Sequence, residues 1–178
     1  MLKAYREKIT LIHQELGIPA SYESQRKLPI QKECSRPVSA GLDIFNREAF
    51  MDSATLLAWQ GMQTTAEQQG ITLQLVSAFR SVEYQKALFK KKQAAGMTID
   101  EILKVNAAPG YSEHHSGRAL DLTCPGAACL EESFEDSPAF EWLCKHAAEH
   151  DFSLSFPRDN QQGFLYEPWH WCHSANNS

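Results

Sequence analysis

Apolar residues recur at helical spacing from the start of the chain. Leu2, Tyr5, Ile9, Ile12 and Leu16 share one face, and Gly17 followed by Pro19 ends the run. This predicts an amphipathic N-terminal helix. Residues 20–45 lose the periodicity, carry Pro29 and Pro37, and read as a long polar connection or wrapping arm. A second helix is expected from Asp52 or Ser53 to Gly70. ITLQLVSAF at 71–79 begins with alternating apolar and polar positions and reads as a strand. Ser81 is placed to cap the next helix, with Tyr84, Leu88 and Phe89 directed inward. TIDE at 98–101 has capping-box spacing and opens a short helix.

APGYSEHHSG at 108–117 has loop composition, and RALDLT at 118–123 reads as a strand with Ala119, Asp121 and Thr123 on one face. SPAFEWLCKHAAEH at 137–150 predicts a helix with Ser137 as N-cap and Pro138 at its first position. The aromatic stretch from Phe152 to Cys172 reads as closing strands. Helices come early, and strands are few, short and late. That is an α+β pattern rather than a repeating βαβ one.

A chain of 178 residues, 43% apolar and 22% charged, has the makings of one globular domain with a real core. The net charge of −5 is mild, and the lone basic run, KKK at 90–92, reads as a solvated helix end; a nucleic-acid partner is therefore not expected. No apolar run reaches the length of a membrane span. The segment MLKAYREKITLIHQELG is charged throughout and does not read as a secretory signal. The expected location is cytoplasmic, or periplasmic or extracellular if a leader has been trimmed. Five irregularly spaced cysteines read as reduced thiols; Cys124 and Cys129, flanking a PGAA turn, would pair only in an oxidising compartment.

Two segments carry candidate chemistry. In SEHHSGRALDL, His114 and Asp121 lie seven residues apart, two turns if helical and too far to share an ion. With Gly117 between them, a loop delivers His114 and the following strand delivers Asp121. A charge inside an apolar strand needs a partner, and a metal, Arg118 or a capped turn fits. In EPWHW, His170 between two tryptophans reads as a core histidine or as a ligand. Together the two imidazoles and the carboxylate suit zinc with one open position. Glu167 and His170 would face opposite ways on a regular strand, but Pro168 puts Glu167 in the loop before it. From there a carboxylate can act as base on an attacking water. The two segments suggest a zinc hydrolase.

The ordered residues Ser112, His114, Gly117, Ala119 and Asp121 form S-x-H-x-x-G-x-A-x-D, followed by E-x-W-H from Glu167 to His170. Upstream, SAFRSVEYQ at 77–85 has Phe79 where tyrosine is common in the related stretch. This set resembles the zinc D-alanyl-D-alanine carboxypeptidases of the VanY type, in the LAS group with VanX-type dipeptidases and the hedgehog domain. The resemblance runs from about residue 71 to 172. It implies helices packed on a small, mostly antiparallel sheet, with 71–172 as the catalytic core of a single zinc peptidase domain; the first 50 residues, outside the resemblance, read as a helix and arm. It implies zinc as cofactor, with His114, Asp121 and His170 as ligands and Glu167 as the catalytic base. Arg80, at a strand–helix junction, would bind substrate and stabilise the oxyanion, while Gln85 and Ser112 would help hold the substrate's terminal carboxylate. His115 is expected to face solvent and His173 to point away. Trp169, Trp171, Tyr111 and Tyr166 are divided between groove and packing.

The implied partner is a peptidoglycan-derived peptide. The activity expected first is removal of terminal D-alanine from soluble tetrapeptide muropeptides by an L,D-carboxypeptidase. D,D-carboxypeptidase action on pentapeptides and a D-alanyl-D-alanine dipeptidase are the enzymatic alternatives. A hedgehog-like binding module without turnover is the alternative of another class, against which Glu167 and Arg80 weigh.

Overall fold

The computed structural model describes residues 2–174. The first helix, α1 (Leu2–Leu16), buries Ile9, Ile12 and Leu16 as the periodicity requires. Gly17 adopts φ 73°, which lets the Ile18 N–H return to the His13 carbonyl at 2.9 Å and close the helix end.

The segment read as an irregular arm is more ordered than its composition suggests. It contains the short helix α2 (Tyr22–Arg26) and strand β1 (Val38–Leu42), which forms a hairpin with β2 (Glu48–Met51). Tyr22 and Leu28 are buried, so the arm is pinned to the body. The hairpin escaped the pattern because β1 is largely exposed and shows no clean alternation. Its turn is held by Asp43, whose Oδ1 accepts from the Phe45 and Arg47 N–H groups at 2.8 and 2.9 Å.

Helix α3 (Ser53–Gln68) starts where expected, with Asp52 Oδ1 accepting from Ala54 N at 3.0 Å. Strand β3 (Gln74–Ser77) leads into α4 (Val82–Ala94), capped by Ser81, and then α5 (Ile99–Val105), which carries the full capping box of Thr98 and Glu101. One inward assignment on α4 is corrected. Phe89 is fully buried, but Tyr84 is 53% exposed, because the helix turns that side to a groove rather than to the core. Strand β4 (Ala119–Thr123), helix α6 (Pro138–His146) and strands β5 (Phe152–Leu154) and β6 (His170–His173) complete the order. The α+β class holds, and among the described residues no helix is long and apolar enough to cross a membrane.

The main sheet runs β3-β4-β6-β5, antiparallel throughout. Its register decides what each face does. Leu120 pairs with Trp171, and both point into the larger core with Trp59 and Met62 of α3 and Trp142 and Leu143 of α6. One residue along, Asp121 pairs with His170, so these two side chains share the opposite face. Ser77 of β3 pairs with Asp121 from the other side. A second apolar cluster joins α1, α4 and α5 through Ile9, Phe89 and Ile102. The polar sheet face and α4 bound the groove that holds the candidate site.

Candidate active site

His114 reaches the sheet from a single helical turn, Glu113–Ser116, that follows Ser112 and ends at Gly117. Gly117 has φ 73°, and a Cβ there would lie 2.7 Å from Asp52 N. Its carbonyl accepts from that same N–H at 2.9 Å, so the turn is clamped to the start of α3. The His114 carbonyl accepts from Arg80 N at 3.2 Å, and its Nδ1–H donates to the Ala78 carbonyl at 2.6 Å. That donation leaves Nε2 facing Asp121 Oδ2, 3.3 Å away. His170 is set the other way round. Its Nε2–H donates to Glu113 Oε2 at 2.9 Å, and Nδ1 lies 3.1 Å from Asp121 Oδ1.

One donor atom from each of His114, Asp121 and His170 lies within 4.8 Å of the others, and all three residues are buried. Two imidazole nitrogens and a carboxylate converging on one point suit zinc, with an outer acceptor fixing each ring. The protein's own charges point the same way. Arg80 Nη2 lies against His114 Nε2 at 2.8 Å and donates to Asp121 Oδ2, so the donor set attracts a cation. The protein cation paired with Asp121 among the described residues is Arg80, not Arg118, which sequence offered only as an alternative to a metal.

Burial drives the His114 ring down to about 4, with the Arg80 charge adding to it, which keeps the imidazole neutral and ligand-competent. Burial also disfavours ionised Asp121, yet His114 and Arg80 hold its carboxyl well below the ordinary range. For His170, burial is outweighed by hydrogen bonds to Asp121 and Glu113, and the ring is raised to about 10. Those two carboxylates make a strong cation site around it.

Glu167 comes from the loop, as the proline implied. Its carbonyl accepts from His170 N at 3.1 Å across a tight turn, and its Oε2 stands 3.8 Å from His170 Nδ1. Burial raises its carboxyl to about 7. All seven candidates, Arg80, Gln85, Ser112, His114, Asp121, Glu167 and His170, line one groove of about 540 Å³.

Residues 48–176 match the family VanY, D-alanyl-D-alanine carboxypeptidase. The chain belongs to the VanY family. It is 23% identical over 171 residues to a D-alanyl-D-alanine carboxypeptidase of Enterococcus faecium, covering 94% of this chain and 51% of that protein. The chain therefore spans about half the length of such curated relatives. Among solved structures it resembles the LdcB LD-carboxypeptidase, described with the basis of its peptidoglycan recognition, at TM-score 0.72 and 25% identity, over 82% of this chain and 71% of that one. It shares the fold of a mutant vancomycin-resistance D,D-pentapeptidase VanY solved with Zn(II), at TM-score 0.58 and 20% identity, over 84% and 80% of the two chains.

Other residues of this VanY-family chain fall differently from their expectations. His115 is fully buried, not solvent-facing. Its Nδ1–H donates to the Arg80 carbonyl at 2.6 Å and its Nε2 accepts from Gly110 N at 3.0 Å, so it ties the two site loops together. His173 points away and contacts Thr55 Oγ1 at 3.1 Å. Trp171 packs in the core while Trp169 lines the groove. Tyr111 packs in the second cluster while Tyr166 lines the groove. The residue that motif spacing did not single out is Glu113. Its carboxylate accepts from both His170 Nε2 and Ser155 Oγ, the latter at 2.6 Å. The available signal was an acid directly beside a ligand histidine in a short, ordered turn.

Proposed function

We propose that this chain is a zinc carboxypeptidase that removes the terminal D-alanine from peptidoglycan stem peptides. The observation that carries this reading is the convergence of His114, Asp121 and His170 beside Glu167 at the floor of a groove. Zinc held by the two histidines and the aspartate would supply Lewis acidity toward water and the scissile carbonyl. Glu167, a buried carboxyl beside the three candidate ligands, is placed to exchange a proton with the attacking water. It takes one proton from the attacking water as the new C–O bond forms. It returns that proton to the D-alanine nitrogen as the C–N bond breaks. Arg80 provides fixed positive charge for the carbonyl oxygen as it becomes negative.

Two features favour a carboxypeptidase over a dipeptidase. The groove extends from Phe45 and Arg47 of the hairpin turn to Leu130 and Tyr166, which offers room for more of a peptide than its two terminal residues. Its rim is apolar, with Phe45, Tyr84, Leu130 and Leu165 all exposed, which suits contact along a peptide. Among substrates we place L,D-cleavage of soluble tetrapeptides first, supported by the likeness to the LdcB LD-carboxypeptidase. D,D-cleavage of pentapeptides is the second reading, favoured by the Enterococcus faecium relative.

The test is mass spectrometry of zinc-loaded protein incubated with matched tetrapeptide and pentapeptide muropeptides, with a chelated control. Loss of one alanine from the tetrapeptide, abolished by the chelator, supports the first reading. Loss from the pentapeptide alone makes it a D,D-carboxypeptidase. Loss from neither overturns the carboxypeptidase reading and favours a dipeptidase or a binding module.

A further inference from the structure

The groove contains three cations, and their pairing differs. Arg47 is bonded to Asp43, with Nη2 at 2.6 Å from Oδ2, and Arg80 is bonded to Asp121. Lys92 has no carboxylate within 4.0 Å among the described residues; its Nζ donates only to the neutral Asn106 Oδ1. It is half-buried, and desolvation together with the Arg80 charge lowers its affinity for a proton, an effect that the Glu167 carboxylate offsets only in part. A partly desolvated ammonium beside another cation is an unfavourable arrangement unless an anion joins it.

Its place in the fold tells where that anion sits. Gln85, Leu88 and Lys92 are spaced by three and four residues, and all three line the groove from α4. Side chains on a helix lean toward its N-terminus, so the long Lys92 stem leans back along α4 toward Gln85 and the Arg80 junction. The Asn106 amide, just past the end of α5, holds the ammonium in that orientation. Gln85 adds a second unmet need. Its Nε2 donates to the Ala107 carbonyl at 2.9 Å, while its Oε1 is buried with no partner among the described residues. An amide oxygen accepts an N–H and cannot bind a carboxylate.

We propose that Lys92 is the anchor for the C-terminal carboxylate of the peptide, with Gln85 Oε1 taking the N–H of that same terminal residue. This rests on the carboxypeptidase reading above and assigns which side chain selects a free chain end. Arg80 is thereby left for the scissile carbonyl.

The experiment measures binding without turnover, in the zinc-loaded Glu167→Gln protein, by fluorescence anisotropy. The probes are an N-terminally labelled stem tetrapeptide ending in D-alanine and the same peptide with a C-terminal carboxamide. The parent should bind the acid about 10- to 100-fold more tightly than the amide, the range for a hydrogen-bonded charge pair. Adding Lys92→Met should bring the acid down to the affinity of the amide, leave the amide unchanged, and leave zinc content unchanged. Equal binding of the two peptides by the parent overturns the proposal. So does an acid preference that survives Lys92→Met, or an equal loss on both peptides. A parent that binds neither peptide overturns the anchor and the carboxypeptidase reading together. Wild-type protein that prefers the acid but cleaves neither peptide overturns only the reading of the activity.

Discussion

Glu113 Oε2 accepts from His170 Nε2 at 2.9 Å, and this contact decides which nitrogen of His170 faces Asp121. The acid is itself held by Ser155 Oγ. Although burial works against its charge, the hydrogen bond from His170 keeps its carboxyl below the ordinary range. An acid that orients a metal-binding imidazole also raises its basicity. Glu113→Ala should therefore weaken zinc binding about 10- to 100-fold. Competition with a chromophoric chelator measures this directly. Unchanged affinity would mean that the sheet alone orients His170.

Glu167 is placed to move protons rather than to hold the ion. Glu167→Gln should lower turnover by about 10²- to 10⁴-fold, the usual contribution of a general base. Bound zinc, counted by atomic emission, should stay at the wild-type level. Zinc lost together with activity would make Glu167 a ligand.

The raised Glu167 carboxyl also predicts a pH signature in the metal-free protein. Its folded value, about 7, lies above the ordinary 4.5, so the folded state binds the extra proton. Its stabilising contribution is full below about 4.5 and is lost as pH rises through about 7. The full swing is about 3 kcal/mol. His114 and His170 titrate as well, so the difference between wild type and Glu167→Gln is the informative quantity. Denaturant melts of both metal-free proteins should diverge across that window, with wild type losing more stability as pH rises. Parallel curves would show that Glu167 is solvated.

Gly117 links the metal turn to α3 at a position with no room for a side chain. Gly117→Ala must bear a left-handed backbone and a contact with Asp52 N. A cost of at least about 1–3 kcal/mol follows. Because His114 lies in the same turn, the zinc-induced rise in melting temperature should shrink as well. Thermal melts with and without zinc test both effects.

Much of the site was legible because its residues occupy turns and strands with strong local signals. Pro168 announced the loop that frees Glu167 from strand alternation, and Gly117 announced the turn before Asp121. Asp121 stood out as an acid in an apolar strand, although its protein partner proved to be Arg80 rather than Arg118. What sequence could not give was anything set by distant contacts. His115 is buried only because Arg80 and Gly110 close over it. Tyr84 is exposed only because a groove, not a core, lies beside that flank of α4. The β1–β2 hairpin is stabilised by Asp43 and Arg47 rather than by an alternating apolar face.

The strand order carries one more consequence. β6 follows every other described element in the sequence, yet it lies between β4 and β5 inside the sheet. During synthesis on the ribosome, β4 and β5 must wait with unpaired edges until residues 170–173 emerge. His170 arrives on that same strand, so closing the sheet and assembling the metal centre are a single event. A nascent chain holds His114 and Asp121 but lacks the third donor until that strand emerges.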